Sequence, residues 1–336
     1  MGKQFSAVQK TYLTNIQDYL RNFIDLQYPA PYDEMRNIFY YHLGLRDPIE
    51  KQGKRIRPLL MLICAEGVGV KKDEALPAAI AIELIHNFSL IHDDIEDNGD
   101  IRRGKPAVWK KWGLSQGLNA GDAMFNAAFL TISSLGLQFP PEMYARAYEL
   151  LSETCNELTK GQYLDMSFEN QDRISIESYF QMIEGKTAAL MACSSEMGAL
   201  LGGVDRNQQK LFRKFGKKLG VAFQIYDDWL GIWGDEEKLG KSTVGDIRER
   251  KKSYPILLGL KSNETFRNGF LNKKMSNEMA LELATALKIS GIEEEVKATC
   301  IKWTNEALDI LNILKCKHEQ KEYLKIITND LLIRSR

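Results

Sequence analysis

Apolar residues recur at three- and four-residue intervals along most of the second half of the chain. "YARAYELLSETCNELTKGQYLDM" and "ESYFQMIEGKTAALMACSSEMGALLG" both show the pattern, which places the apolar side chains on one stripe of a helix. "RNQQKLFRKFGKKLGVAFQIYDDWLGIWG" repeats it, with Asp205 just upstream as a candidate N-cap. The C-terminal "MALELATALKISGIEEEVKATCIKWTNEALDILNIL" also reads as helix. Earlier in the chain, "ALPAAIAIELIHNFSLI" is apolar nearly throughout, as expected of a helix made for burial.

Proline placement agrees. Eight of the nine prolines lie at or before Pro141 and the ninth is Pro255, so the stretch between them is free to form long helices. Alternating β-branched runs with hairpin turns are missing, and no sheet is expected. Without a Gly/Ser/Pro-rich linker or a short repeat, the chain reads as one all-α domain over residues 1–336.

Composition narrows the function. Forty-five basic and forty-five acidic side chains cancel, which removes a global electrostatic argument for nucleic acid and confines any anion site to a local cluster. Cys64, Cys155, Cys193, Cys300 and Cys316 are scattered with no C-x-x-C pair, a pattern of reduced thiols in a cytoplasmic protein. No uninterrupted apolar run reaches the roughly 18 residues of a membrane span, so no transmembrane segment is expected.

The candidate chemistry lies in "SLIHDDIEDNGDIRRG". Asp93, Asp94, Glu96 and Asp97 crowd the end of the buried segment, and Arg102 and Arg103 follow. On a helix Asp93 and Asp97 share one face, where like charges repel. A solvated helix end is the plain alternative. Against it, paired carboxylates suit Mg²⁺, which completes its shell with water and phosphate, and arginines grip phosphate as a planar fork. Asp227 and Asp228 end a second apolar helix, with Lys241, Arg248, Arg250, Lys251 and Lys252 behind them. Two such arrangements suggest facing metal-binding rims over a shared cavity.

Other sites fit less well. Glu83 and His86 form one E-x-x-H pattern, but a di-iron bundle needs a second such pattern and two more glutamates. "GDEEKLGKST" imitates a phosphate loop, yet five residues rather than four separate its glycines and no strand precedes it. His42 and His318 lie outside every motif, and His92 is placed to orient the carboxylate of Asp93.

Taken together, "GKRIRP", "ELIHNFSLIHDDIEDNGDIRRGKPAVW", "NAGD", "GQYLD", "GKTAAL" and "FQIYDDWLGIWGD…GKSTVGD" resemble the trans-isoprenyl diphosphate synthases, the polyprenyl synthetase family. The likeness runs from about residue 53 to residue 255, with the elements in family order. It implies an all-α bundle of the isoprenoid synthase type around a central apolar cavity, Mg²⁺ as cofactor, isopentenyl and allylic diphosphates as substrates, and a homodimer.

The resemblance also implies roles. Asp93 and Asp97 bind Mg²⁺ with Asp94 assisting, and Arg102 holds the allylic diphosphate. Lys54, Arg57, His86 and Arg103 form the pocket for isopentenyl diphosphate. Lys186 and Thr187 lie beside the leaving diphosphate, Lys186 and Lys241 as its counter-charges. Phe223 and Gln224 precede the second motif, Asp227 holds a third metal with Asp228 nearby, and Lys251 is the basic residue closing the loop. Many family members carry an aspartate where this chain has Gly231. Glycine cannot ligate, so altered metal affinity or lid behaviour is expected rather than inactivity.

Phe88 and Ser89 lie five and four residues before Asp93, about one helical turn of roughly 5.4 Å. An aromatic there with a small neighbour resembles enzymes that stop at geranylgeranyl diphosphate, with farnesyl diphosphate left open and core packing as the plain alternative. A class I terpene cyclase would share the first motif but would normally replace the second aspartate pair and lack the second diphosphate pocket. A silent regulatory homologue should have lost metal ligands or arginines.

Overall fold

The computed structural model describes residues 2–48, 53–169, 171, 173–234, 244–272 and 275–330, with side chains from residue 5 onward. The helices are α1 (Gly2–Gln27), α2 (Asp33–His42), α3 (Ile56–Gly67), α4 (Lys72–Glu96), α5 (Val108–Trp112), α6 (Leu114–Ser133), α7 (Pro141–Glu169), α8 (Ile176–Ile183), α9 (Ala189–Leu201) and α10 (Arg206–Trp233). Then follow α11 (Gly245–Glu249), α12 (Tyr254–Ser262), α13 (Glu264–Phe270), α14 (Asn277–Ile289), α15 (Ile292–Ile313) and α16 (His318–Asp330). The fold is all-α, as expected.

One departure concerns the arginines of the first motif. A two-residue antiparallel ladder pairs β1 (Ile101–Arg102) with β2 (Lys105–Pro106), Arg102 opposite Lys105. Arg103 and Gly104 form the turn with φ of 52° and 71°, the positive angles that a tight two-residue hairpin demands at both positions. Two residues per strand leave no alternation to read, which is why the sequence pattern missed it.

A second departure is local. The helix expected across residues 177–202 contains a π-helical turn, Glu184–Ala188, between α8 and α9. Such turns occur mostly as single inserts within helices, often at functional sites.

Packing divides the chain into two compact units, Met1–Cys155 with Cys193–Arg213 and Leu314–Leu324, and Asn156–Ala192 with Lys214–Ile313 and Lys325–Arg336. In the first unit, α4 is buried nearly all round from Ala75 to Ile85, so its apolar run serves as core rather than as one stripe. Averaged over 18 residues, α4 is apolar enough to cross a membrane by length and composition although its apolar run is interrupted; 72% of that window is buried within the protein.

The second unit packs Tyr179, Ile183, Ile225, Ile232, Phe266 and Val296 among its core residues. Side-chain caps fix several helix starts here. Ser175, Asn263 and Ser276 each accept a backbone N–H from the first turn of α8, α13 and α14, satisfying donors that a helix N-terminus otherwise leaves open. In the first unit Asp205 caps α10 as expected, accepting from the N–H groups of Asn207 and Gln208.

Candidate functional site

In the first unit, α4 carries its carboxylates to its C-terminal end, where the helix dipole already disfavours negative charge. The N–H of Asp97, the C-cap, still donates to the carbonyl of Asp93 at 2.9 Å, so the two carboxylates stay one turn apart. The helical step between adjacent residues sends Asp94 inward, to 3% exposure, while Asp97 is exposed and Asp93 half-buried. Arg102 comes back along the hairpin to meet them. Its Nε and Nη2 donate to Asp94 Oδ1 at 2.9 and 2.6 Å, and Nη2 lies 3.4 Å from Asp93 Oδ2.

Burial raises the pKa of Asp94 and outweighs the opposing effect of Arg102. Burial also disfavours the Arg102 guanidinium, but hydrogen bonding and charge from Asp94 and Asp93 raise its pKa on balance. Among the described residues Asp94 Oδ2 has no hydrogen-bond partner. The two outward carboxylates suit a hard cation such as Mg²⁺, which takes one or two carboxylates, with the unpartnered Asp94 Oδ2 buried behind them.

The turn sends Arg103 the other way. Its Nη1 donates to the carbonyl of His42 at 3.1 Å and its Nη2 lies 3.5 Å from Asn87 Oδ1. Adjacent arginines thus serve two places, because the strand ends between them. A cavity of about 290 Å³ opens here, with His42, Gly53, Arg102, Arg103 and Lys105 in its wall. Of the other residues assigned to this pocket, Arg57 Nη1 lies 3.2 Å from His86 Nε2, and Lys54 is exposed.

Burial pushes Arg57 down to about 10, against the pull of Glu83, and pushes His86 well below the usual histidine range, helped by Arg57 and Arg103. The sequence places His42 outside every motif. It is buried in this wall, and burial with Arg103 and Arg102 holds its pKa down at about 3. His92 does not reach for Asp93: its Nε2 lies 3.3 Å from the carbonyl of Leu118 and 3.7 Å from Asp122. Glu83 is buried beside Arg55 at 3.9 Å and accepts from Asn87 at 2.9 Å.

Phe88 packs edge-on against His92 and against Phe125 of α6, with ring centroids 5.7 and 5.0 Å apart. Phe125 meets Phe129, and Phe129 meets Tyr148. Ser89 donates to the carbonyl of His86 at 2.8 Å, so its hydroxyl is satisfied within its own helix.

In the second unit, α10 presents Asp227 outward and buries Asp228, again because neighbours on a helix diverge. Among the described residues no guanidinium pairs with Asp228. Its Oδ2 accepts from Tyr179 Oη at 2.6 Å and from the N–H of Tyr254 at 2.8 Å, and its Oδ1 accepts from Gln224 Nε2 at 2.8 Å. Thr187 Oγ1 donates to Gln224 Oε1 at 2.6 Å, which fixes the amide so that it donates to Asp228. Burial and the charge of Asp246 push the Asp228 pKa upward.

Lys186 of the π-helical turn pairs with Asp165 on α7. The two segments touch closely: a Cβ on Gly161 would lie 2.0 Å from the Lys186 backbone nitrogen. Phe223 is half-buried, and Lys251 Nζ lies 3.2 Å from Glu249. Lys241 lies outside the described residues. Among the described residues no three His, Cys, Asp or Glu side chains form a metal cage.

The sequence reading gave no role to Tyr179, Tyr254, Asp165 or Asn87, although two of the quoted elements contain Asp165 and Asn87. A tyrosine 49 residues from its partner, as Tyr179 is from Asp228, leaves no local signal.

The polyprenyl synthetase family matches residues 42–289. The (2E,6E)-farnesyl diphosphate synthase of Mycobacterium tuberculosis is 42% identical over 227 residues, 66% of this chain and 62% of that protein, so the match spans under two thirds of the mycobacterial enzyme. The geranylgeranyl diphosphate synthase of Methanosarcina mazei is 36% identical over 83% of this chain and 85% of its own length. Among solved structures, geranylgeranyl pyrophosphate synthetase from Pyrococcus horikoshii Ot3 superposes with a TM-score of 0.88 at 32% identity, covering 98% of each chain.

Proposed function

The chain belongs to the polyprenyl synthetase family, and from that premise we propose that it is a trans-prenyltransferase joining isopentenyl diphosphate head-to-tail to an allylic diphosphate. The observation that carries the reading is the Asp93–Asp94–Arg102 cluster at the end of α4, beside a cavity walled by Arg103 and Lys105. It offers outward carboxylates for a cation and guanidinium forks for phosphate.

Asp93 and Asp97, and Asp227, would hold magnesium, which would supply positive charge to the diphosphate. Asp94 and Asp228, buried behind the outward aspartates, keep the two helix ends in place. Arg102 exchanges part of its carboxylate contact for the allylic diphosphate, while Lys186 and Lys241 add positive charge where that diphosphate departs. The allylic C–O bond breaks and its electron pair leaves with the diphosphate. Arg103, Arg57, Lys54 and His86 hold isopentenyl diphosphate so that its double bond attacks the allylic cation. One proton is then lost, and the released diphosphate accepts it. Water must be excluded meanwhile, since it would capture the cation as an alcohol.

The relatives' names include both farnesyl and geranylgeranyl products. We favour geranylgeranyl diphosphate, with Phe88 as the floor that stops the growing chain, supported by its place about one turn before Asp93 and its aromatic contact with Phe125. A homodimer is part of the reading, supported by Leu114 and Leu118, which α6 leaves exposed; sedimentation equilibrium tests it. A cytoplasmic location, supported by the five scattered thiols, is tested by cell fractionation.

The deciding assay offers labelled isopentenyl diphosphate and Mg²⁺ with dimethylallyl, geranyl or farnesyl diphosphate, and sizes the dephosphorylated products. Elongation to one length establishes the activity; no elongation from any starter overturns it. Phe88→Ala should shift products at least one five-carbon unit longer, and an unchanged profile removes Phe88 as the floor.

A further inference from the structure

The hairpin that carries Arg102 and Arg103 is too small to hold itself. Its ladder has two residues per strand, Pro106 of β2 has no N–H to give, and an isolated two-stranded hairpin is marginal in water. Arg102 is fixed all the same, because its Nε and Nη2 both donate to Asp94. Arg103 is held only by neutral acceptors, the carbonyl of His42 at 3.1 Å and Asn87 Oδ1 at 3.5 Å. Its aim therefore depends on what packs against the hairpin.

The end of α2 supplies that support. Tyr41 Oη donates to the carbonyl of Pro106 at 2.8 Å, and the next residue, His42, offers the carbonyl that Arg103 uses. Consecutive residues of one helix thus grip both β2 and the guanidinium of the turn. Carbonyls at a helix C-terminus lack intrahelical partners and carry the negative end of the dipole, which suits a guanidinium.

The Tyr41 ring is itself pinned. Lys111 Nζ lies 4.0 Å from its centroid and Lys105 Nζ 5.8 Å, within the range of cation–π attraction. Trp112 of α5 meets the ring edge-on at 5.0 Å, and Trp112 Nε1 donates to Glu34 of α2 at 2.6 Å. Lys105 in turn pairs with Asp47 at 2.6 Å. Burial raises the Tyr41 pKa against the pull of Lys105, so the phenol remains a donor at neutral pH. Tyr41 lines the same cavity as Arg103.

We propose that Tyr41 is a positioning residue for the isopentenyl diphosphate pocket. Through the Pro106 carbonyl it sets the hairpin so that Arg103 meets the cavity at a fixed angle, and it acts on the anion only through Arg103. Arg102 does not depend on it, since Asp94 and Asp93 hold that guanidinium separately. Loosening the Tyr41 bond weakens the hold on the ligand of Arg103 and spares that of Arg102. The proposal rests on the prenyltransferase reading for the identity of the ligand.

The test uses the full chain. Tyr41→Phe keeps the ring and its cation contacts and removes only the hydroxyl, with circular dichroism to confirm folding. Calorimetric titration with inorganic diphosphate, in EDTA so that no metal recruits it, should show an affinity loss of about fivefold, the scale of one neutral hydrogen bond. In elongation assays the KM for isopentenyl diphosphate should rise by about the same factor, with kcat and the allylic KM changed less than about twofold. In an Arg103→Ala background, Tyr41→Phe should add less than about twofold to the loss of diphosphate affinity, because its effect passes through that arginine.

Wild-type diphosphate affinity in folded Tyr41→Phe overturns the inference. So does an equal rise in both substrates' KM, or a full further loss in the Arg103→Ala background. A wild type with no measurable diphosphate binding overturns it as well. A wild type that binds diphosphate in a Tyr41-dependent way but elongates no starter defeats the prenyltransferase reading instead and leaves the positioning role standing.

Discussion

The two acidic helix ends solve one electrostatic problem by different means. Each is an Asp-Asp pair in which the first carboxylate faces outward and the second is buried, Asp94 at 3% and Asp228 at 6% exposure. A buried carboxylate must be compensated. At the first end the compensation is a full charge, the Arg102 guanidinium, delivered by a hairpin eight residues downstream of Asp94. At the second it is three neutral donors, from Tyr179, Tyr254 and Gln224. The first arrangement leaves a partly exposed cation within reach of an arriving anion, whereas the second answers its carboxylate with neutral groups that hold the segments together. Identical dipeptides therefore imply different sensitivities.

The outward members are expected to behave alike and give the largest effect. Asp93→Ala and Asp227→Ala should each lower turnover about 10²–10³-fold or more, the scale of losing a main electrostatic contact in a transition state, with the circular dichroism spectrum retained. Near-wild-type rates in either folded variant would remove that residue from the catalytic machinery.

The inward members should separate. Asp94→Asn strands a guanidinium and should destabilise the fold by about 3 kcal/mol, near the low end for breaking a buried ion pair because Arg102 still reaches Asp93. Asp228→Asn keeps one carbonyl acceptor and should cost about 1–3 kcal/mol, the scale of leaving buried donors unsatisfied. Denaturant titration reads both. The stability difference for Asp94→Asn should shrink with added salt and that for Asp228→Asn should not; equal salt dependence would dissolve the distinction.

Mild acid gives the smallest effect, and one of opposite sign at the two ends. His42, beside the first motif, has its pKa lowered from 6.5 to about 3 by burial and by Arg103 and Arg102. The unfolded chain thus binds its proton first, and stability is lost as pH falls below 6.5. Asp228 has its pKa raised by burial and by Asp246, so its folded form takes up a proton first and gains stability as pH falls towards the unfolded carboxylate range. Between pH 7.5 and 5, His42→Gln should become more stable relative to wild type, and Asp228→Asn less. Melting temperatures that move in parallel would show that one of the two groups titrates normally.

How much of this was legible depends on sequence distance. The helices, the two Asp pairs and the nearness of Arg102 to the first pair along the chain could be read directly; the ion pair of Arg102 with Asp94 was not expected. Helical period is a local property, and Arg102 lies within ten residues of its partners. The divergence of Arg102 from Arg103 was not legible, because the hairpin that separates them is too short to leave an alternating pattern. The π-helical turn under Lys186 and Thr187 was also hidden, since its residues continue the apolar period of α8 and α9.

The amino-acid sequence by itself determined which residue types cluster, which helix faces are apolar and where each helix carries its carboxylates, since all three follow from spacing along one element. Only the tertiary structure decided who answers those carboxylates. Tyr179 and Tyr254 meet Asp228 from 49 and 26 residues away, and Asp246 fills the volume that Gly231 leaves open on another helix. Periodicity says which face of a helix must be covered; the identity of the covering group is fixed by close packing between segments distant in sequence.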